Sequence, residues 1–148
     1  MMRLFVLVCI LSLAACGGKK ASTTTTGSGS DHGPVLTKKM SVSWGITSEA
    51  TSAEIFLQTT DETGHQVSHS VGTFKGTCSA VTPAPEMKAL IAVRCKDGAT
   101  GTELHAVVQG NIIIVVKMRV DDGVTPDPMA REEVTRVTLP GDASITAE

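Results

Sequence analysis

Met87-Lys88-Ala89-Leu90-Ile91-Ala92-Val93-Arg94-Cys95, Leu104-His105-Ala106-Val107-Val108 and Ile112-Ile113-Ile114-Val115-Val116-Lys117-Met118 follow one another closely. Only a few polar residues, with Asp97-Gly98, Gly101 and Gly110-Asn111, lie between them. Each run is short, rich in β-branched residues and bounded by turn formers, which is the pattern of adjacent antiparallel strands. Met87, Ala89, Ile91, Val93 and Cys95 make one face of the first run. Leu104, Ala106 and Val108 make one face of the second, and Ile112, Ile114, Val116 and Met118 one face of the third. With Val93 opposite Leu104 and Leu104 opposite Val116, the three apolar faces coincide. Arg94, Glu103 and Lys117 then line up behind them as a charge ladder. A two-residue Gly110-Asn111 turn instead sets Glu103 opposite Met118, so this register predicts an odd-length loop bulged at Gly110.

The reverse face of the predicted sheet carries Leu90, Val107 and Ile113 in one row, and Ala92, His105 and Val115 in the next. A solvated face is polar, so an apolar one implies a cover. Either the chain supplies it, through Asp121–Met129 or a C-terminal strand, or a protein partner docks on Leu90, Val107, Ile113 and Val115.

Working outward, Met40, Val42, Trp44 and Ile46 alternate with polar residues, as do Ala53, Ile55 and Leu57. The turn signal Asp61-Glu62-Thr63-Gly64 follows. Val67, Val71 and Phe74 predict one or two more short strands broken at Gly72 and Gly76, and Val134, Val137 and Leu139 a last one. The stretch has no helical stripe. The expectation is an all-β fold, a single antiparallel sandwich or barrel of about 7–8 strands over residues 35–148.

The N-terminal end reads differently. Arg3 precedes the apolar run Leu4–Leu13, and Leu13-Ala14-Ala15-Cys16 follows at its end. A run this short falls below the roughly 20 helical residues a bilayer needs, and reads as a signal peptide over residues 1–15. Leu13-Ala14-Ala15-Cys16 resembles the lipobox of bacterial lipoproteins. That resemblance implies a diacylglyceryl thioether on Cys16, cleavage before it and acylation of the new amino group. Several acyl chains together give stable anchoring where one does not. Gly17 stands where aspartate usually marks inner-membrane retention, which favours the outer membrane if the cell is Gram-negative. Residues 16–34 then form a lipidated cysteine and a linker of Gly, Ser and Thr, with too little apolar surface to offset the entropy of ordering. A linker of about 18 residues reaches roughly 20–25 Å.

Cleavage removes Cys9 and lipidation occupies Cys16, which leaves Cys78 and Cys95 as an even pair in an oxidising compartment and predicts a disulfide. It also removes Arg3, one of 13 basic residues against 15 acidic, leaving a net charge of −3. Mild acidity gives no footprint for nucleic acid. With Trp44, Phe56 and Phe74 as the only mature aromatics, stacking grooves for sugars or single strands are not expected. His65 and His69 sit roughly 13 Å apart if on one strand, too far to share a metal. Asp121, Asp122 and Asp127 do not match a calcium loop and read as a solvated turn. No nucleophile elbow, zinc-protease helix or phosphate loop occurs, so no catalytic residue, metal or cofactor is expected.

The sequence therefore points to a membrane-anchored, non-catalytic envelope module that binds a protein partner and not nucleic acid. The alternatives are an inhibitor or accessory subunit of an envelope enzyme or secretion apparatus, presenting Thr82–Glu86 or Gly123–Pro128 as a loop, and an envelope enzyme. Disulfide-stapled β-lipoproteins that inhibit lysozyme are similar in size and layout, although their inhibitory motif has no match here.

Overall fold

A computed structural model describes residues 37–148. Cys16, the predicted signal peptide and the linker lie outside the described residues. Nine strands follow in order: β1 (Lys38–Ser48), β2 (Ser52–Asp61), β3 (Gln66–Lys75), β4 (Thr77–Val81), β5 (Ile91–Asp97), β6 (Thr100–Gln109), β7 (Ile112–Asp121), β8 (Glu132–Thr138) and β9 (Ala143–Ala147). They form two sheets, ordered β3-β2-β1-β9 and β4-β5-β6-β7-β8. The fold is the expected all-β sandwich, with open edges and no barrel closure. Two features were not legible in the alternation. The short β9 adds a strand, and it pairs with β1 in parallel, Lys38 opposite Ala143 through Val42 opposite Ala147.

Alternation sets the layers. Val42, Ile55 and Leu57 from the first sheet meet Val93, Leu104, Ile113 and Val115 from the second, and all seven are fully buried. In β3 one extra residue, Val71, is accommodated where Ile55 faces Gly72 and Phe56 faces Ser70. This bulge lets Val71 turn inward without ending the strand. Gly76 alone carries the chain from β3 in one sheet to β4 in the other. Its φ is +85°, and a Cβ there would stand 1.8 Å from the Lys96 carbonyl oxygen, so no other residue fits this corner.

The predicted register holds between β5 and β6, where Val93 faces Leu104 and Arg94 faces Glu103. It fails by one residue between β6 and β7. Gln109 faces Ile112, which leaves Gly110-Asn111 as a two-residue turn. Gly110 has a φ of +62° and Asn111 is not in the positive region, the arrangement of a type II′ hairpin with glycine first. Leu104 therefore faces Lys117, and Glu103 faces Met118. Both alternating sets of β7 are apolar, so periodicity could not choose its face; the turn did. The charge ladder ends at Glu103, and Lys117 reaches Glu132 instead, at 3.2 Å.

One end of the outer face of this sheet is covered by the chain itself, but not by the segments expected. The stretch between β4 and β5, with a 3-10 turn at Pro85–Met87, places Met87 against Met118 and Val120, with Ala84 and Ala89 packed beside them. Met87 and Ala89 are accordingly no part of β5.

Candidate functional site

Glu103 and His105 lie two apart on β6 and so share its outer face. Glu103 is 5% exposed and His105 1%. Burial of a carboxylate demands partners, and the cross-strand pairing supplies one: Arg94 donates from Nε to Glu103 Oε2 at 2.6 Å. The other oxygen, Oε1, lies 2.6 Å from His105 Nε2. With the proton on Nε2, the imidazole donates to the carboxylate, and its Nδ1 is left buried without a partner. A relay of the Ser-His-acid type needs a hydroxyl at that second ring nitrogen. Here the carboxylate is held from both sides, and the trio acts as a clamp on the β5–β6 register.

A cleft of about 710 Å³ opens at one end of the sandwich, between Phe74 and Lys75 of β3 and Thr102, Lys117 and Arg119 on the inner face of β6 and β7. The inner face turns polar here because the residues beyond Leu104 and Val115 are no longer covered by the opposite sheet. Two of its cations are engaged, Lys117 with Glu132 and Arg119 with Asp121 at 2.8 Å.

A second cleft, of about 460 Å³, lies at the side of the molecule where β1 passes the corner between β4 and β5. Its walls are mostly apolar, from Trp44, Pro83, Leu90 and Ile91, with Ser43 and Thr82 beside them; Glu148 is the one charged residue lining it, and its carboxylate accepts from the Ser41 hydroxyl at 2.9 Å. The Trp44 Nε1–H has no acceptor. β9 reaches the rim of this cleft from the Lys38–Val42 half of β1. The Val42 carbonyl accepts from the Glu148 N–H at 3.1 Å, and β9 pairs only with Lys38–Val42. Backbone groups alternate in direction along a strand, so those of Trp44 and Ile46 point to the same side as those of Val42. Among the described residues, no strand meets them there. No family model, curated protein or solved structure matches this chain.

The sequence-predicted residues divide as follows. Cys78 and Cys95 face each other across β4 and β5 and are joined by a disulfide. The predicted patch is split by the one-residue change in register. Ile113 and Val115 point into the core and are fully buried, so neither belongs to a docking surface. Leu90 and Val107 remain half-buried, and Leu90 lines the lateral cleft. In Thr82–Glu86, Ala84 is held against the outer face, while Thr82, Pro85 and Glu86 are exposed. The β7–β8 connection does protrude: Val124 is 62% exposed and Met129 84%. His65 lies in the β2–β3 turn, and His69 Nε2 approaches the buried Thr59 hydroxyl at 3.5 Å. Asp121 pairs with Arg119, Asp122 with Lys96, and Asp127 accepts the Met129 N–H.

Sequence reading missed the two sites that matter most. His105 looked like one member of an apolar row, although Glu103 two residues before it and Arg94 opposite were both visible. The lateral cleft brings β1 together with the β4–β5 corner, a meeting of distant segments that no local pattern reveals, and five alternating residues near Glu148 give too little signal to place β9.

Proposed function

We propose that this chain is a lipid-anchored envelope protein that acts by binding, with the lateral cleft beside β1 as its recognition surface. The observation that carries this reading is the make-up of that cleft: apolar walls from Trp44, Pro83, Leu90 and Ile91 with one carboxylate at Glu148. Recognition sites combine apolar lining with a few oriented polar groups in this way. The lipobox-like Leu13-Ala14-Ala15-Cys16 supports a membrane anchor on Cys16, and Gly17 favours the outer membrane in a cell with two membranes. Labelling cells with an alkyne palmitate analogue tests the anchor. The native chain takes up label and sediments with membranes; Cys16→Ser takes up none and stays with the precursor or in the soluble fraction. Label on the Cys16→Ser variant would refute it.

A second reading, inhibition of an envelope enzyme, draws on the β7–β8 loop, where Val124 and Met129 stand exposed among prolines. Under that reading, Met129→Asp abolishes inhibition without changing the unfolding midpoint.

A further inference from the structure

Ile113, Val115, Lys117 and Arg119 follow one another on the inner face of β7, so a row that begins in the core ends in two cations. Strand pairing sets Leu104 beside Lys117 and Thr102 beside Arg119, with Cys95 beyond Thr102. The inner faces of a sandwich normally interdigitate as apolar core. Here Phe74 of β3 stands across the gap, and the end cleft of about 710 Å³ lies between, within the size range of small-molecule sites. Its lining carries three cations, Lys75, Lys117 and Arg119, against two carboxylates, Asp97 and Glu132. Lys117 and Arg119 are paired, but Glu132 and Arg119 are both exposed, and ion pairs so open to water hold weakly. Among the described residues, Lys75 forms no ion pair.

We propose that the end cleft binds a small organic carboxylate with an apolar body. The Arg119 guanidinium donates to both carboxylate oxygens, with Lys117 beside it, and the ligand takes the places of Asp121 and Glu132. The Thr102 hydroxyl, next to Arg119 in the register, donates to the carboxylate as well. The apolar body lies against Phe74, where the protein wall keeps water from one side of the charge and strengthens its attraction to the cations. Cations alone would take any anion; an aromatic ring opposite them selects one that carries apolar surface. This site shares no lining residue with the lateral cleft, and it stands without that cleft or the lipid anchor.

The test is an NMR titration of the purified, isotope-labelled full chain in detergent with three probes. These are hydrocinnamate (a phenyl ring on a short carboxylate), its uncharged amide, and inorganic phosphate. Hydrocinnamate is expected to shift the backbone amide resonances of Phe74, Thr102, Lys117 and Arg119 saturably and to leave those of Trp44 and Leu90 in place. The amide and phosphate each bind at least about tenfold more weakly, one lacking the charge and the other the ring. Arg119→Gln weakens hydrocinnamate binding at least about tenfold. Glu132→Gln strengthens it about threefold, because the competitor for Lys117 is gone. A Glu132 that served only the fold would leave binding unchanged or weaken it on the same change. If circular dichroism shows that Arg119→Gln does not fold, Glu132→Gln and the paired probes decide alone. Absence of saturable shifts at the four residues, or equal binding of the amide or of phosphate, would overturn the proposal. So would a folded Arg119→Gln that binds as the native chain does, or Glu132→Gln without a gain.

Discussion

Glu103 shows how one buried charge fixes a local arrangement. It is held by Arg94, which remains partly in water, and by His105, which does not. Removing the carboxylate strands the imidazole, so Glu103→Ala costs about 2–4 kcal/mol in urea denaturation, toward the low end because Arg94 can rehydrate. Replacing all three, with Arg94→Met, Glu103→Leu and His105→Phe, comes within about 1 kcal/mol of the native chain, since an apolar trio needs no partners. Asp61 is a second case, at the surface. The Thr63 hydroxyl donates to its Oδ1 at 2.6 Å, with the His65 and Thr63 amides at 3.0 and 2.9 Å. These bonds, that of the Thr63 side chain foremost, hold its carboxyl below the ordinary carboxylate range. A lowered folded pKa means that the stabilisation is complete above the unfolded value, about 3.9, and is lost as pH falls through the folded one. Proton titration by NMR is expected to place the Asp61 midpoint below that of a denatured control, and Asp61→Asn to blunt the acid sensitivity of the β2–β3 turn.

Among elements, the connections decide more than the strands. Gly76→Ala has no room beside the Lys96 carbonyl, so it destabilises by more than about 2 kcal/mol in thermal or chemical unfolding. By contrast Gly98, whose added Cβ would meet nothing, loses only about 1 kcal/mol on the same change, the cost of its positive φ. The Cys78–Cys95 bridge spans a separation of 17 residues, and reducing it costs about 3 kcal/mol. Matched unfolding curves with and without reductant measure this. These connections also mark what the sequence disclosed. Strands with one apolar face, such as Met40–Ile46 and Ala53–Leu57, were legible because their alternation admits a single facing. β7 was not, because Ile112–Met118 is apolar on both faces and the decision fell to Gly110. The clamp was half legible: Arg94 opposite Glu103 followed from the register, but the contact with His105 needed rotamers that no spacing reveals. The Met87 cover escaped notice because an apolar residue at strand spacing reads as strand, although Pro83 and Pro85 just before it argue for a loop.

At the scale of the whole molecule, the described residues 37–148 are nine strands in two sheets. These residues belong to one compact unit. A chain beginning at Gly33 is expected to have an unfolding free energy within about 0.5 kcal/mol of the full-length protein's, measured by denaturant titration with circular dichroism. The two ends of this unit meet on one strand: β1 receives the incoming chain at Lys38 and is flanked by β2 on one side and β9 on the other. A pull applied through the preceding segment runs along β1 and loads both ladders in shear, many hydrogen bonds at once, instead of peeling them open in turn. With the proposed anchor on Cys16, tension from a moving membrane would reach the fold at the place best braced to bear it.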